Sequence, residues 1–431
     1  MFYYCSKLIS INLIDFNTQS LANMENMFYD FIELTSIEVS NFNIQIVTNM
    51  ELMFYNCRSL ISIDLSFFNT KNAINMRKMF YNCTSLTSID FSNFNTQNIT
   101  NLEYMFYKCQ NLISIDVSNF NIQYVKSVNS LFRYCEKLTS IDVSNFNTEN
   151  VINMNYLFDS CYSLISIDIT NLDTKNVINM TSLFYDCRSL ISVDVSHLNT
   201  QNMIDMSHTF YNCSLLTSID VSHFNTQNLL DISYMFYGCQ NLTSIDVSHF
   251  DTKNVIDMHY MFYNCESLIS IDVSNFNTQN VVRINNIFDG CSSLTSIEVS
   301  FFNTKNVKDM SYMFNNCKNL IFISISNFDT QNVNNMNNMF RNCTSLTSID
   351  ASNFDTQKVT TMSEMFYYCN NLTYIDISNF TINEDKVYLF LELPNNGIIK
   401  MKIDYIDKIE YIPPEWKIIT NINILGNYTS N

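Results

Sequence analysis

The chain repeats one pattern of apolar and polar positions with a period of 26 residues. Cysteine stands at 5, 57, 83, 109 and every 26 residues thereafter to Cys369, and Phe31 fills the one gap, so the spacing never slips through fifteen copies. A phenylalanine column (Phe2, Phe28, Phe54 through Phe366) and a leucine column (Leu8, Leu34, Leu60 through Leu372) have no exception. Such constancy inside one chain means that each position faces its own copy in the next unit. A period of this length therefore predicts stacked coils, each too small to bury its apolar side alone.

Two periodicities share each unit. Leu112, Ile115 and Val117 are interleaved with Ser114, Asp116 and Ser118, the alternation of a half-buried strand. Val125, Val128, Leu131 and Phe132 then recur at three- and four-residue spacing, which predicts a short helix with one apolar face. Between the two, Asn-Phe-Asn-Thr-Gln-Asn (a clean copy is 93–98) supplies a turn and a Thr or Asn helix cap. The expected class is α/β: about fifteen strand–turn–helix coils over 1–380, with strands pairing in parallel. At a spacing of roughly 4.8 Å the strand face would run roughly 70 Å. A bulkier helical side would bend the stack and put the parallel sheet on the concave face.

Residues 381–431 change in character, holding all three prolines, the only tryptophan (Trp416) and two of the four glycines. Short strands are expected at 387–393, 398–403 and 416–424, making a small β-rich C-terminal cap over the last coil. Elsewhere glycine and proline are so scarce that the turns must rely on Asn and Asp, which tolerate left-handed backbone. Met1 opens directly onto repeat sequence without a basic and apolar leader, and no matching cap precedes it. Both features fit an N-terminally truncated fragment, or an intracellular protein. No apolar run is long enough to span a membrane. The net charge of −18 disfavours nucleic acid and anionic membrane as partners.

Enzyme signatures are missing: there is no glycine-rich phosphate loop, His-Glu-x-x-His or Gly-x-Ser-x-Gly. Cysteines at least 26 residues apart exclude Cys-x-x-Cys redox and zinc-ribbon chemistry. The chain reads as non-enzymatic, with no cofactor. The cysteine column reads as buried thiols, since free cysteine behaves as a small hydrophobe and Phe31 shares the column. Disulfides between adjacent coils are the competing reading.

Three other columns could carry binding. Asp64, Asp90, Asp116, Asp142, Asp168, Asp194, Asp220, Asp246 and Asp272 run unbroken, and alternation turns them away from the core between serine hydroxyls. They serve either as a solvated, soluble face or as an acidic surface for a basic protein partner or divalent cations. Mutual repulsion at this spacing is under about 1 kcal/mol per pair. Tyrosines follow the constant phenylalanine at Tyr3, Tyr29, Tyr55, Tyr81, Tyr107, Tyr185, Tyr211, Tyr237, Tyr263 and Tyr367, as an aromatic binding stripe or as packing along the stack. His197, His223 and His249 stand in successive coils beside Asp194, Asp220 and Asp246, a combination that could hold a transition metal, but Asn fills this turn position elsewhere, which favours surface drift. Sequons such as Asn82-Cys83-Thr84 and Asn427-Tyr428-Thr429 are expected by chance in so Asn-rich a chain.

The run Phe80-Tyr81-Asn82-Cys83-Thr84-Ser85-Leu86-Thr87-Ser88-Ile89 resembles the BspA-type leucine-rich repeats. The fuller unit, continuing through Ser-Asn-Phe-Asn-Thr to Met-Phe, is similar to the subclass found in mycoplasma surface lipoproteins and in protists. The resemblance covers residues 1–380 and implies a leucine-rich-repeat solenoid on the cell surface or secreted, concerned with adhesion and with binding host or matrix proteins. It transfers no catalytic residue. An intracellular protein-interaction scaffold and a passive structural spacer remain open beside it.

Overall fold

The structure is a computed structural model describing residues 5–420, apart from Ile14, Ser92 and Asp385, and the backbone of Ile424–Leu425. The expectations for Phe2, Tyr3 and the Asn427-Tyr428-Thr429 sequon lie outside the described residues. The chain forms two compact units, Met1–Phe224 and Asn225–Asn431. Each is a β-solenoid wound with the 26-residue period of the sequence. The turns number about 13.

In the first unit Ser62–Asp64 pairs in parallel with Ser88–Asp90, setting Ile63 opposite Ile89 and Asp64 opposite Asp90. Ser166–Ile167 pairs likewise with Ser192–Val193. A second line of parallel bridges joins Asn23, Asn49, Asn75 and Asn101, then Ser127, Asn153, Asn179 and Asp205. In the second unit Ser296–Ile297 pairs with Phe322–Ile323 and Ser348–Asp350 with Tyr374–Asp376, and bridges run from Asp231 through Asp257, Arg283, Asp309 and Asn335 to Thr361. Register is thus set by the repeat itself, because a slip of one residue would turn Ile115-type positions outward and Asp116-type positions inward. Like side chains therefore stack on like: the ring centres of Phe54, Phe80 and Phe106 lie 5.4 and 5.9 Å apart, the rings nearly parallel and without solvent exposure.

The expected helix does not form. Among the described residues there is no α-helix, and the one helical segment is the 3₁₀ helix Ile403–Lys408. Over 128–135 the backbone alternates instead. The N–H groups of Val128, Ser130, Phe132 and Tyr134 donate to carbonyls of the next coil (Asn153, Asn155, Leu157, Asp159; 2.8–3.1 Å). Those of Leu131, Arg133 and Cys135 close turns to the carbonyl three residues back. Left-handed backbone at Ser130 (φ 55°) and Tyr134 (φ 61°) makes this alternation possible. Geometry decides the outcome. Tyr55, Tyr81 and Tyr107 on this arm stack at 4.8 and 4.5 Å, whereas packed helices need about 8–10 Å between axes. The tight turns still bury Val125, Val128, Leu131 and Phe132, so an apolar spacing of three and four is satisfied without a helix. The bulk that motivated a concave sheet is absent with it.

The Thr and Asn of the Asn-Phe-Asn-Thr-Gln-Asn segment therefore cap no helix; they fasten coil to coil. Thr96 is buried, its Oγ1 donating to the Asn121 carbonyl at 3.0 Å and accepting the Asn121 N–H at 2.6 Å. Asn98 Nδ2 reaches back to the Lys71 carbonyl at 2.8 Å. Asn95 Oδ1 accepts the Gln97 N–H at 3.1 Å, the turn chemistry expected of Asn. The left-handed positions themselves are less selective than expected and also hold Tyr104, Lys108, Ser130 and Glu364.

Beyond residue 380 the parallel pairing continues. Ile398–Lys400 lies beside Tyr374–Asp376, Lys417–Ile419 beside Ile398–Lys400, and Ile424–Leu425 closes the sheet antiparallel. Phe390 takes the next place in the phenylalanine column, 6.1 Å from Phe366, and Trp416 is fully buried with Nε1 on the Pro394 carbonyl. The strand expected at 387–393 is reduced to a bridge from Val387 to Ile409, because Leu389 and Phe390 turn into the core instead of alternating.

All fourteen cysteines are free, and all but Cys5 are buried. Each thiol from Cys57 onward for which a bond is resolved donates to a phenylalanine carbonyl of the preceding coil, as Cys83 does to Phe54 at 3.1 Å and Cys109 to Phe80 at 3.3 Å. Burial pushes the Cys83, Cys135 and Cys187 thiols well up, and Cys369 to about 12. A thiol reagent is expected to label Cys5 alone in the folded protein and all fourteen cysteines after unfolding without reductant. Recovery of disulfide-linked peptides by mass spectrometry would refute this assignment.

Candidate functional site

The nine aspartates from Asp64 to Asp272 all lie exposed on the strand arm of their coils. What holds them is a turn. Asp116 Oδ1 accepts the Ser118 N–H at 2.9 Å and its hydroxyl at 2.6 Å, ending the strand; Asp220 and Asp246 repeat the arrangement with Ser222 and Ser248. The serine hydroxyl first, and the backbone N–H second, hold Asp64, Asp116, Asp142, Asp194, Asp220 and Asp272 below the usual carboxylate range; Thr170 does the same for Asp168. Repulsion from neighbouring aspartates acts in the opposite sense and is weaker, so hydrogen bonding, more than charge relief, governs this column. Where their coils pair in the first unit these carboxylates stand in register, Asp64 opposite Asp90 and Asp142 opposite Asp168. In the first unit Ser62, Asp64, Ser88, Asp90, Phe91 and Asp116 border an open concavity of about 410 Å³. In the second unit Asp376 departs from the pattern, buried and ion-paired with Lys400 at 3.2 Å.

The tyrosine column lies on the turn arm. Tyr55, Tyr81 and Tyr107 form one half-buried stack, Tyr185 and Tyr211 another at 4.3 Å, and in the second unit Tyr237 and Tyr263 stack at 4.5 Å. Partial burial raises Tyr81 and Tyr263 to about 12. Their faces are covered by one another, which leaves mainly edges for a partner.

Reading the column by its consensus missed its interruptions. Arg133 and Asp159 replace tyrosine in the first unit, and Asp289, Asn315 and Arg341 replace it in the second. Both aspartates are buried. Asp159 faces Arg133 at 3.0 Å and the Ser160 hydroxyl at 2.6 Å, and Asp289 accepts amide hydrogens from Asn286 and Asn315 at 2.9 and 2.8 Å. Burial pushes each up to about 6 despite these partners. The signal was present in the sequence as charged residues in an aromatic column. His197 Nε2 is engaged with the Ile169 carbonyl at 2.7 Å, and no group of three or more His, Cys, Asp or Glu converges among the described residues.

The two buried aspartates give a pH dependence with a definite sign. Their folded pKa of about 6 exceeds the ordinary 3.8, so the folded chain holds their protons more tightly. Their contribution is full below 3.8 and is lost as pH rises through 6, where Arg133 and Ser160 face Asp159, and Asn286, Asn315, Asn316 and Arg341 surround Asp289. Urea unfolding should show higher stability at pH 5 than at pH 7.5, by about 1 kcal/mol for each site. The Asp159→Asn/Asp289→Asn variant should lose most of this difference; an undiminished difference would assign it to other groups.

The chain matches the model of the family DUF285, described as a Mycoplasma protein of unknown function, over residues 1–113, 86–193, 190–297 and 284–390. No curated protein matches it. Among solved structures it is similar to a leucine-rich repeat protein from Bacteroides ovatus, at 17% identity over 90% of this chain and 88% of that one, with a TM-score of 0.42. A leucine-rich cell surface protein from Faecalibacterium prausnitzii matches at 17% identity over 80% and 76%, TM-score 0.33. A leucine-rich repeat protein from Eubacterium ventriosum matches at 15% identity over 81% and 84%, TM-score 0.31. With the family model matched in four successive stretches along the 26-residue array, the chain belongs to the DUF285 family.

Proposed function

We propose that this protein is a non-enzymatic binding solenoid of the cell surface or the secreted space, whose aspartate-lined strand face docks a basic protein partner. The observation that carries this reading is the exposed aspartate column, kept ionised by serine and threonine hydroxyls. Fixed charges at a regular interval suit a partner presenting several cations at once, and steer it through a field that salt screens. The surface location rests on the resemblance of the repeats.

The test uses Asp116→Asn, Asp142→Asn, Asp168→Asn and Asp194→Asn together. Asn retains an Oδ1 to accept the N–H two residues on, so stability should change by less than about 0.5 kcal/mol per site. Capture of surface and matrix proteins by the variant should fall at least tenfold, and added salt should mimic the loss for the unaltered chain. A variant that captures the same proteins as strongly sinks the acidic-face reading. Calcium competing at low millimolar concentration without any effect of lysine-rich peptide would point to a cation-bridged surface instead.

Residues 381–431 serve in this reading as the C-terminal cap, supported by Phe390 stacking on Phe366 and by the burial of Trp416. Truncation after residue 380 should expose Phe366 and Leu372 and cause aggregation on size-exclusion chromatography. A soluble, monomeric truncated chain would show that the segment caps nothing.

A further inference from the structure

The second interruption of the tyrosine column is accompanied by an opening in the surface. Asn315, Asn316, Arg341, Asn342 and Tyr368 line a concavity of about 370 Å³. A second, of about 270 Å³, lies beside it between Asn264, Gly290 and Lys318, and Asn316 belongs to both. Three successive coils have lost the tyrosine that fills this position elsewhere in the unit, at Tyr237, Tyr263 and Tyr367. Residues that break the local rule of a regular array mark positions where something other than folding is being served.

The groups left in the opening are incompletely paired. Asn315 is 7% exposed; its Nδ2 donates to Asp289, and its Oδ1 has no partner. Turning the amide over would not help, because Oδ1 would then face the Asp289 carboxylate. Arg341 keeps 39% of its side chain exposed; Nη1 stands 3.5 Å from Glu364, and the guanidinium lies 5.1 Å from the Tyr367 ring centre. Tyr368 offers a ring 40% exposed at the rim.

Chemistry narrows the occupant. A buried acceptor needs a donor, and a guanidinium beside it needs an acceptor. A cation would satisfy Asn315 and be repelled by Arg341. An anion would satisfy Arg341 and be repelled by Glu364 and Asp289. Adjacent hydroxyls on a ring do both, since each hydroxyl donates and accepts, and the C–H face of the ring can lie on Tyr368. We infer that this opening in the second unit is a saccharide-binding site, taking a sugar through neighbouring hydroxyls at Asn315 and Arg341, with room for a second sugar beyond Asn316. This site is separate from the aspartate face, and its failure would leave that proposal intact.

The probes are methyl β-glucopyranoside, methyl β-galactopyranoside, methyl α-mannopyranoside and chitobiose, followed by saturation-transfer NMR on the full chain, with acetate and cyclohexanol as controls. At least one sugar should give a saturable signal, and both controls should give none. Asp289→Tyr/Asn315→Tyr/Arg341→Tyr restores the column's own residue, so it should fold and reduce the signal at least tenfold. Tyr368→Asn, which places at this left-handed position the residue found at Asn316 and Asn342, should also weaken binding and guards against misfolding of the triple variant. No saturable signal from any of the four sugars overturns the inference. So does a signal unchanged in both variants, or acetate binding as well as the sugars do.

Discussion

Hydrogen bonding from each coil to the next is the constraint from which the rest of this structure follows. On the turn arm alternate N–H groups donate to the next coil, buried threonine hydroxyls do the same, and asparagine amides donate back to the preceding one. Bonds of this kind close only if every coil has the same length, so the 26-residue period cannot drift. They also fix the rise at the spacing of paired strands. At that rise a side chain's nearest neighbour is its own copy. Phenylalanines consequently lie ring over ring, and cysteines find the same phenylalanine carbonyl coil after coil.

The same stacking brings like charges together, and the protein answers this differently on its two arms. On the strand arm the aspartates remain in water, and the hydroxyl two residues on stabilises each carboxylate locally. On the turn arm water is largely excluded. There Asp159 is set against Arg133 and Asp289 against asparagine amides, and burial still raises both acids. Exposed repetition and buried exception are thus two kinds of feature. The first can act only as an extended surface, and the second only at one place.

The candidate sites were legible to different degrees for that reason. Alternation around Ile115 was enough to turn Asp116 outward, because a strand has only two faces. That the aspartate also closes a turn by accepting the Ser118 N–H was implicit in its spacing from serine. The recurrence of the tyrosines offered packing along the stack beside an aromatic binding stripe, and the rings do stack on one another, which takes their faces away from a partner. Asn315 and Arg341 escaped notice altogether: a consensus reading attends to what recurs, and these residues matter because they do not recur.

By itself the sequence determined the period, the inward and outward positions, the parallel register and the burial of the thiols, since all of these follow from like residues recurring at one interval. Only the tertiary structure decided the conformation between strands. Val125, Val128, Leu131 and Phe132 carry the spacing of a helix face, and nothing local forbids a helix there. The choice belonged to the neighbouring coil, whose carbonyls claim the N–H groups of Val128, Ser130 and Phe132 at a distance too short for helices to stand side by side. Apolar spacing records which side chains are buried; it does not record where the backbone finds its hydrogen bonds.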